Sequence, residues 1–463
     1  METTEKIFDL IVIGGGPAGF SAALKAAKLG LSVLIAEKDG KLGGTCLNRG
    51  CIPTKALLHS SGLIRQIRSA SSFGVNAEAS VDAGKLFEYR DNTVNTLVAG
   101  LEQSVKTGGI AVVTGKASVL PETADGVVSV DIEGTVYRAK DVLLATGTVP
   151  AMPPIDGIGS GVVITSNDLL EGNELPESLI IVGGGVIGCE FASLYTDLGR
   201  KVTVIEALPR ILANMDKDVA RNLQMILKNR GAEIYSGAQV VKIADAGGKA
   251  EVTFAAGGEE KTVSADKVLI ATGRRAVLDC CDAVSGRLEI TKGRIVTDEN
   301  GKTSIDHIYA AGDIAYGIQL AHKASAEGEN IAALIAGKKP QNDMNVIPAC
   351  VYCSPEIACV GMTDADAKEA GINAVTARAL TSANSRSVIS LEERGFVKLV
   401  AEKETGILLG AQLMCANASD IIGELAVAVA NKLTAEQCLK AVRPHPSYEE
   451  AVGAALAELS GKI

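Results

Sequence analysis

The sequence predicts an α/β fold that contains two copies of one strand–turn–helix–strand unit. Residues 9–37 read DLIVIGGGPAGFSAALKAAKLGLSVLIAE, and residues 178–206 read SLIIVGGGVIGCEFASLYTDLGRKVTVIE, at a constant offset of 169 positions. In each copy an apolar strand runs into G-x-G-x-x-G, a helix-length segment follows, and a second apolar strand ends in Glu. A period that changes from strand to helix and back within about 30 residues is typical of a βαβ unit.

The glycines of each turn have separate roles. The first makes a tight turn, the second lets backbone approach a pyrophosphate, and the third lets the helix pack on the strand. The helix N-terminus favours the diphosphate charge, and the terminal carboxylate accepts hydrogen bonds from ribose hydroxyls. One such motif also fits a glycine turn that binds nothing, but two complete copies predict two Rossmann-like dinucleotide sites. The residues are Gly14, Gly16, Gly19 and Glu37 in the first unit and Gly183, Gly185, Gly188 and Glu206 in the second.

The acid at the end of the second copy predicts the nucleotide. A carboxylate at Glu206 suits the free 2′-hydroxyl of NAD and repels the 2′-phosphate of NADP, which usually requires a nearby arginine. Arg200, Lys201 and Arg210 lie close to it in sequence and could override this preference. We expect NAD.

Length, charge and cysteine content exclude several classes of function. A chain of 463 residues predicts two to four domains. The net charge of −10, without a basic cluster interleaved with aromatics, disfavours nucleic acid and anionic membrane as partners. No apolar run approaches the roughly 18 residues of a spanning helix. Ten cysteines in a chain of this length do not indicate a secreted disulfide framework, so we expect a cytoplasmic protein whose important thiols are catalytic.

The segment GGTCLNRGCIPTKALL, residues 43–58, carries the candidate redox pair, Cys46 and Cys51. If a helix begins here, the two sulfurs lie near one face of its first turn and can bridge. A thiolate at a helix N-terminus is stabilised by the dipole, and Lys55 adds positive charge one turn later. The alternative is two unrelated buried thiols, which is the usual meaning of C-x4-C without context.

A candidate general base lies at the other end of the chain. His445 stands between Pro444 and Pro446, which restrict its backbone, and its ordinary pKa suits removal of a thiol proton. Glu450 could accept a hydrogen bond from the other ring nitrogen. The alternatives are a proline-rich surface turn and a capping box in which Ser447 and Glu450 open the last helix.

Other conspicuous residues are interpreted as structural. Cys350 and Cys353 fall in a probable strand, where side chains three apart point to opposite faces. Cys280 and Cys281 cannot easily bridge. His322 is expected to pack within a helix.

These motifs, together with ATG (145–147), TGRR (272–275), AAGD (310–313), LAHKASAEG (320–328) and HPSYEE (445–450), resemble the class I pyridine nucleotide-disulfide reductases over essentially the whole chain. The resemblance implies a homodimer of four-domain subunits. It implies an FAD-binding domain at 1–150, an NAD-binding domain at 151–277, a central domain at 278–345 that completes the FAD site, and a C-terminal α+β dimer-interface domain at 346–463.

The resemblance also implies residue roles. Cys46 would exchange with substrate, Cys51 would face the flavin, Lys55 would pair with Glu190 near the flavin, and His445 with Glu450 would act on the partner subunit's disulfide. Further residues expected to line the cofactors are Thr146, Gly147, Ala117, Asp313 and Ala321 for FAD, and Val240 and Gly273 for NAD. No metal is expected.

Within this family, the resemblance implies oxidation of a protein-bound dihydrolipoyl group with NAD as acceptor. The partner would be the lipoyl domain of a 2-oxoacid dehydrogenase complex or of the glycine cleavage system. A glutathione- or trypanothione-type reductase is opposed by Glu206, and a mercuric-type reductase by the absence of a cysteine pair in AALAELSGKI (454–463). A flavin transhydrogenase or oxidase, and a docking subunit without chemistry, need not keep the cysteines and His445 together. Arg443 departs from the family pattern and leaves the electrostatics near the base open.

Overall fold

The structure, a computed structural model, describes residues 2–121, 126–392 and 394–463, without the side chains of residues 2–4. The α-helices are α1 (Pro17–Lys28), α2 (Gly44–Arg49), α3 (Cys51–Ser69), α4 (Ala83–Thr107), α5 (Ser166–Glu171), α6 (Val186–Asp197), α7 (Lys217–Asn229), α8 (Ala321–Ile335), α9 (Asp364–Glu369), α10 (Ser385–Ile389), α11 (Ala418–Ala430), α12 (Ala435–Leu439) and α13 (Glu450–Ser460). Short 3₁₀ turns cover Ala70–Phe73, Asp279–Arg287, Gly312–Ile314 and Thr381–Ala383.

The strands are β1 (Glu2–Ile13), β2 (Val33–Glu37), β3 (Ala111–Thr114), β4 (Ala117–Val119), β5 (Val128–Ile132), β6 (Thr135–Leu144), β7 (Thr148–Pro150), β8 (Val163–Thr165), β9 (Ser178–Val182), β10 (Lys201–Glu206), β11 (Glu233–Ser236), β12 (Ala238–Asp245), β13 (Ala250–Ala256), β14 (Glu259–Ala265), β15 (Lys267–Ile270), β16 (Arg274–Ala276), β17 (Ile290–Thr291), β18 (Arg294–Ile295), β19 (Ile308–Ala310), β20 (Ala349–Val351), β21 (Glu356–Gly361), β22 (Ala374–Leu380), β23 (Phe396–Glu402) and β24 (Leu408–Cys415).

The first glycine unit forms one edge of a sheet with the order β3-β2-β1-β6-β5-β4, and β19 pairs with β6. Strands β1, β2 and β3 are parallel, and all five side chains of β2 are buried. Burial on both faces explains why these strands read as continuous apolar runs rather than alternating ones. Because β19 is far along the chain, the segment after residue 278 returns to complete this sheet.

The second glycine unit forms a five-stranded parallel sheet with the order β11-β10-β9-β15-β8. A three-stranded antiparallel sheet, β12-β13-β14, follows it and shares its apolar core through residues such as Phe254 and Ile180. The α/β prediction with two βαβ units is therefore confirmed.

Two connections tie the second half of the chain to the first unit. Strands β7 and β16 form a short antiparallel ribbon between the two glycine units. Helix α8 packs against α1 so closely that a Cβ on Gly328 would lie 2.2 Å from the carbonyl oxygen of Ala18. Glycine is required at that crossing.

The C-terminal segment is an antiparallel sheet with the order β20-β21-β24-β23-β22, packed against α11 and α13. Its buried apolar face includes Leu399, Leu413 and Leu456. The opposite side joins the core of the second glycine unit through Val351, Ile357 and Phe396. This mixed segment agrees with the expected C-terminal α+β region. No helix in the described residues is long and apolar enough to cross a membrane.

Candidate active site and cofactor sites

The first and third glycines of both turns are required by backbone geometry. Gly14 has φ +105°, and a Cβ there would lie 2.4 Å from the carbonyl oxygen of Ala145. A Cβ on Gly19 would lie 1.9 Å from the carbonyl oxygen of Gly14. The second turn repeats this, with φ +111° at Gly183 and a distance of 2.0 Å from a Cβ on Gly188 to the Gly183 oxygen. The turn and helix-packing roles expected from the sequence agree with these contacts.

The second glycine of each turn faces open space. A Cβ on Gly185 would meet no atom within 4 Å, and one on Gly16 would meet only Gly44 Cα, at 3.8 Å. These glycines are the N-caps of α6 and α1, and neither helix has a capping side chain. Backbone N–H groups at a helix N-terminus beside open space suit a diphosphate. Each of the two turns therefore fits the diphosphate of a dinucleotide.

Glu37 and Glu206, the acidic residues that end β2 and β10, hydrogen-bond to the backbone of the two glycine turns. Glu37 accepts hydrogen bonds from the backbone N–H groups of Gly15, at 2.7 Å, and Asp39, at 2.9 Å. Glu206 accepts the equivalent pair, from Gly184 at 2.5 Å and Leu208 at 2.6 Å. Each carboxylate oxygen has a second lone pair that can accept a ribose hydroxyl.

The two arginines near Glu206 in sequence have other partners. Arg200 pairs with Glu177, and the guanidinium of Arg210 donates to the carbonyl oxygens of Ala213 and Met215. Neither of these contacts involves the Glu206 carboxylate. A carboxylate at this position suits a free ribose 2′-hydroxyl.

A cavity of about 330 Å³ lies beside Glu37. Its walls are mostly apolar and are formed by Glu37, Gly40, Leu42, Glu102, Val105, Lys106, Ile110 and Val112. A mostly apolar cavity next to a carboxylate that can accept ribose hydroxyls suits the adenine of a dinucleotide.

The redox segment packs on the first glycine turn. Gly44, at φ +55°, approaches Gly16 so closely that a Cβ on it would lie 2.7 Å from Gly16 Cα. Cys46 lies within α2, and Cys51 is the first residue of α3. The two helices are separated by Gly50, which is not helical. The segment is therefore two helices rather than the single distorted turn that the sequence suggested. The break places Cys51 at a new helix N-terminus.

The two half-buried thiols are hydrogen-bonded to each other in the reduced form. This bond, with help from the Lys55 charge and against burial, lowers the pKa of Cys51 to about 7. The same bond and burial raise the pKa of Cys46. Of the two thiols, Cys51 therefore loses its proton first.

Lys55 and Glu190 form the expected ion pair. The Lys55 ammonium donates to both oxygens of the Glu190 carboxylate, at 2.9 and 2.8 Å. Glu190 is 4% exposed and lies in α6, whose successive residues from Gly188 to Asp197 are all buried. The pair joins the redox helix α3 to the second glycine unit.

The remaining residues expected to line the cofactors lie in several separate elements. Gly147 has φ +66° directly after Thr146, and Asp313, in a 3₁₀ turn, accepts a hydrogen bond from Thr148 at 3.0 Å. Ala117 is buried in β4, and Ala321 is the first residue of α8. In the second unit Gly273 has φ +123° in the loop after β15, while Val240 is half-buried against the core behind β12.

The histidine–carboxylate pair forms at the C-terminal end. His445 Nδ1 and Glu450 Oε1 are 2.9 Å apart, and the second oxygen of Glu450 accepts the backbone N–H of Ser447 at 2.9 Å. These two contacts lower the pKa of Glu450. The imidazole is 69% exposed, with Nε2 on the side away from Glu450. Among the described residues, no hydrogen bond or ion pair links His445 with Cys46 or Cys51.

Comparison with known proteins identifies the family. The protein-family model described as pyridine nucleotide-disulphide oxidoreductase matches residues 8–328. The family model for the dimerisation domain of the same proteins matches residues 347–456. The chain belongs to the pyridine nucleotide-disulphide oxidoreductase family. A dihydrolipoyl dehydrogenase of Bacillus subtilis (strain 168) is 37% identical over 98% of this chain and 98% of its own length. One from Halobacterium salinarum is 36% identical over 96% of this chain and 94% of its own length.

Several solved structures share the fold. LpdA from Mycobacterium tuberculosis matches with a TM-score of 0.90 at 27% identity, over 97% of this chain and 99% of that one. The HOCl-induced flavoprotein disulfide reductase RclA from Escherichia coli matches with a TM-score of 0.85 at 27% identity, over 97% and 99%.

The interpretation of His322 as a helix-packing residue is wrong. His322 is exposed at the start of α8, where Nε2 contacts the Pro348 carbonyl oxygen at 2.7 Å. The alternative in which Ser447 opens the last helix does not hold either, because that helix starts at Glu450. The Ser447 N–H still donates to the Glu450 carboxylate, so half of the capping-box pattern serves to hold that carboxylate beside His445.

The other cysteine pairs lie in apolar surroundings. Cys350 packs with the C-terminal sheet core and Cys353 with the core of the second glycine unit, so the two face opposite sides as expected. Cys280 and Cys281 are buried in the first-unit core. Burial raises the pKa of Cys350 to about 12.

Arg443 forms an ion pair with Glu424, and the Arg443 side chain is 10% exposed. Its guanidinium also donates to the carbonyl oxygen of Ala441 at 3.2 Å. This ion pair attaches the His445 loop to α11.

Sequence reasoning missed Arg274. This residue donates to the hydroxyl and carbonyl oxygens of Thr148, both at 2.8 Å, and approaches the Thr45 hydroxyl at 3.5 Å. Burial lowers its pKa, opposed by the charges of Asp313 and Cys51. The motif TGRR marked the position, but only the fold brings it to the redox segment.

Proposed function

We propose that this chain is an NAD-linked, FAD-dependent dihydrolipoyl dehydrogenase. The observation that carries the proposal is the Cys46–Cys51 pair, packed on the first glycine turn with Cys51 at a helix N-terminus and the Lys55–Glu190 ion pair behind it. Full-length similarity to dihydrolipoyl dehydrogenases supports the choice of substrate.

The chain's own groups divide the chemistry. His445, oriented by Glu450, takes a proton from a dihydrolipoyl thiol. The resulting thiolate attacks Cys46 of the Cys46–Cys51 disulfide, and Cys51 leaves as a thiolate. The second thiol of the substrate then gives up its proton and attacks the sulfur that is bonded to Cys46. Cys46 leaves and takes up a proton, so lipoyl disulfide is released and the chain's pair is left reduced. FAD held at the first glycine turn by Gly14, Gly16, Gly19 and Glu37 would supply the two-electron chemistry that links the reduced Cys46–Cys51 pair to NAD⁺.

The residues proposed to hold FAD are Gly14, Gly16, Gly19, Glu37, Lys55, Ala117, Thr146, Gly147, Asp313 and Ala321. Those proposed to hold NAD are Gly183, Gly185, Gly188, Glu190, Glu206, Val240 and Gly273. For Glu190 the support is indirect, because its carboxylate binds Lys55 and the backbone of Tyr352 rather than an open cleft.

We further propose the four segments 1–150, 151–277, 278–345 and 346–463 as FAD-binding, NAD-binding, central and interface domains. Two chains would pair through the dimerisation domain, so that His445 serves the partner's disulfide. The macromolecular substrate would be a lipoyl domain of a 2-oxoacid dehydrogenase complex or the glycine cleavage system. We propose the cytoplasm as the compartment. In a reducing compartment the other cysteines stay reduced, and only the Cys46–Cys51 pair cycles between disulfide and thiols.

A substrate panel tests this function. Purified protein is assayed for NADH formation from dihydrolipoamide, and for NADH or NADPH oxidation with lipoamide, glutathione disulfide and trypanothione disulfide. We expect turnover with dihydrolipoamide and lipoamide only. Cys46→Ser should abolish it, whereas the matched Cys350→Ser, also half-buried but outside the pair, should not. Preference for glutathione disulfide and NADPH would refute the proposal.

A further inference from the structure

Tyr352 lies where three parts of the chain meet. It follows β20 in the C-terminal segment, while Lys55 belongs to the redox helix α3 and Glu190 to α6 of the second glycine unit. The Lys55 ammonium lies 4.5 Å from the centroid of the Tyr352 ring. The backbone N–H of Tyr352 donates to Glu190 Oε1 at 3.0 Å.

One residue therefore contacts both members of the ion pair by different groups. A cation within about 6 Å of an aromatic centroid is attracted by the ring quadrupole. Glu190 is 4% exposed, but Tyr352 is 36% exposed. The Lys55 ammonium thus has two partners: the buried Glu190 carboxylate and the more exposed ring of Tyr352.

We propose that Tyr352 is a positioning residue for the redox pair: its ring holds the Lys55 ammonium against Glu190 and limits its hydration, so that the lysine charge stays beside Cys51. This inference rests on the proposed redox role of Cys51 and concerns how its thiolate is stabilised. The backbone bond to Glu190 survives substitution of the side chain, so the ring can be tested alone.

The charged and titratable groups around Cys51 set the direction of the effect. They are Cys46, Lys55, Glu190, Tyr352 and Arg274. Lys55 stabilises the Cys51 thiolate more than Glu190 destabilises it. Water admitted by loss of the ring would screen both charges and reduce this net gain. Burial and neighbouring anions raise the pKa of Tyr352 to about 12, so its phenol stays neutral in the relevant range.

The test measures the Cys51 thiolate directly, in FAD-loaded protein carrying Cys46→Ser. The rate of alkylation of Cys51 by iodoacetamide is followed against pH, with the Cys51 peptide quantified by mass spectrometry. Tyr352→Leu should lower the thiolate fraction about 3- to 10-fold at a fixed pH below the midpoint. Tyr352→Met is a second ringless variant, and Tyr352→Phe should titrate like the parent.

Two further variants separate positioning from a general structural effect. Tyr89→Leu removes a comparably exposed tyrosine on α4 and should leave the midpoint unchanged. In a Lys55→Met background, removal of the Tyr352 ring should have no additional effect.

The inference is overturned if the leucine and methionine variants titrate like the parent, if phenylalanine behaves like leucine, or if the shift persists without Lys55. Alkylation of Cys51 requires no dihydrolipoyl substrate. A protein that fails to oxidise dihydrolipoamide would therefore refute the proposed function without deciding the role of Tyr352.

Discussion

Replacing Glu206 with glutamine should weaken the preference for NAD over NADP that we propose for this protein. The Glu206 carboxylate is 9% exposed, and both of its oxygens accept backbone N–H groups at the second glycine turn. A 2′-phosphate placed there would meet this charge at about 4 Å, which costs about 4 kcal/mol per unit charge at an effective dielectric of about 20. Even a third of that repulsion, about 1.4 kcal/mol, gives tenfold selectivity.

Glu206→Gln removes the repulsion and weakens the turn. One amide oxygen can still accept a backbone N–H, whereas the amide NH₂ faces the other, at a cost of about 1–3 kcal/mol. We expect kcat/KM for NAD⁺ to fall about 5- to 100-fold. The value for NADP⁺ should fall much less or rise.

The assay is kcat/KM for NAD⁺ and NADP⁺ with saturating dihydrolipoamide. The internal repeat supplies a matched control, because Glu37 makes the same two backbone contacts in the first unit. Glu37→Gln should weaken FAD retention and leave the NAD⁺/NADP⁺ ratio unchanged. Equal use of both nucleotides by the unmodified protein, or an unchanged ratio in Glu206→Gln, would refute the reasoning.

Three other substitutions give distinct outcomes. Glu450→Gln should slow flavin reduction by dihydrolipoamide about tenfold, because His445 loses its charged partner, without changing flavin reoxidation by NAD⁺ in stopped-flow traces. Gly19→Ala should yield protein that purifies with much less FAD by absorbance, since its Cβ would lie 1.9 Å from a carbonyl oxygen of the turn. Lys398→Met should reduce the free energy of unfolding by about 3–5 kcal/mol in denaturant titration, because it leaves the buried carboxylate of Asp216 without its cation. An unchanged rate of flavin reduction, FAD content or free energy of unfolding, respectively, would contradict the role given to Glu450, Gly19 or Lys398.

Local rules predicted the parts of the fold that short segments specify. The glycine turns could be assigned from sequence because φ near +105° and +111° and sub-van der Waals approaches leave no residue but glycine at the first and third positions. The order of apolar strand, helix-length segment and apolar strand in each copy predicted the two βαβ units, whose strands β1–β2 and β9–β10 pair in parallel. The break at Gly50 was missed, because the glycine interrupts a segment whose other residues are compatible with one helix.

Contacts between distant segments could not be read from local pattern. The Lys55–Glu190 pair spans 135 residues and was expected only from the family resemblance. Tyr352 and Arg274 meet the redox segment through packing of separate sheets, and nothing in their neighbouring residues marks a contact with Lys55 or Thr45. His322 was misassigned because its helical context was correct but its exposure depends on the neighbouring Pro348 loop.

The central claim is that dihydrolipoyl thiols are oxidised at a site built from Cys46 and Cys51 of one chain and His445 of its partner. Subunit exchange between Cys46→Ser and His445→Gln proteins tests it most directly, with exchange verified by differently tagged chains. Each parent should lack dihydrolipoamide turnover or retain about 1% or less of it. We predict that the heterodimer regains one working site, and therefore about half of the normal activity per dimer. A verified heterodimer without activity would show that His445 serves its own chain or is not the base.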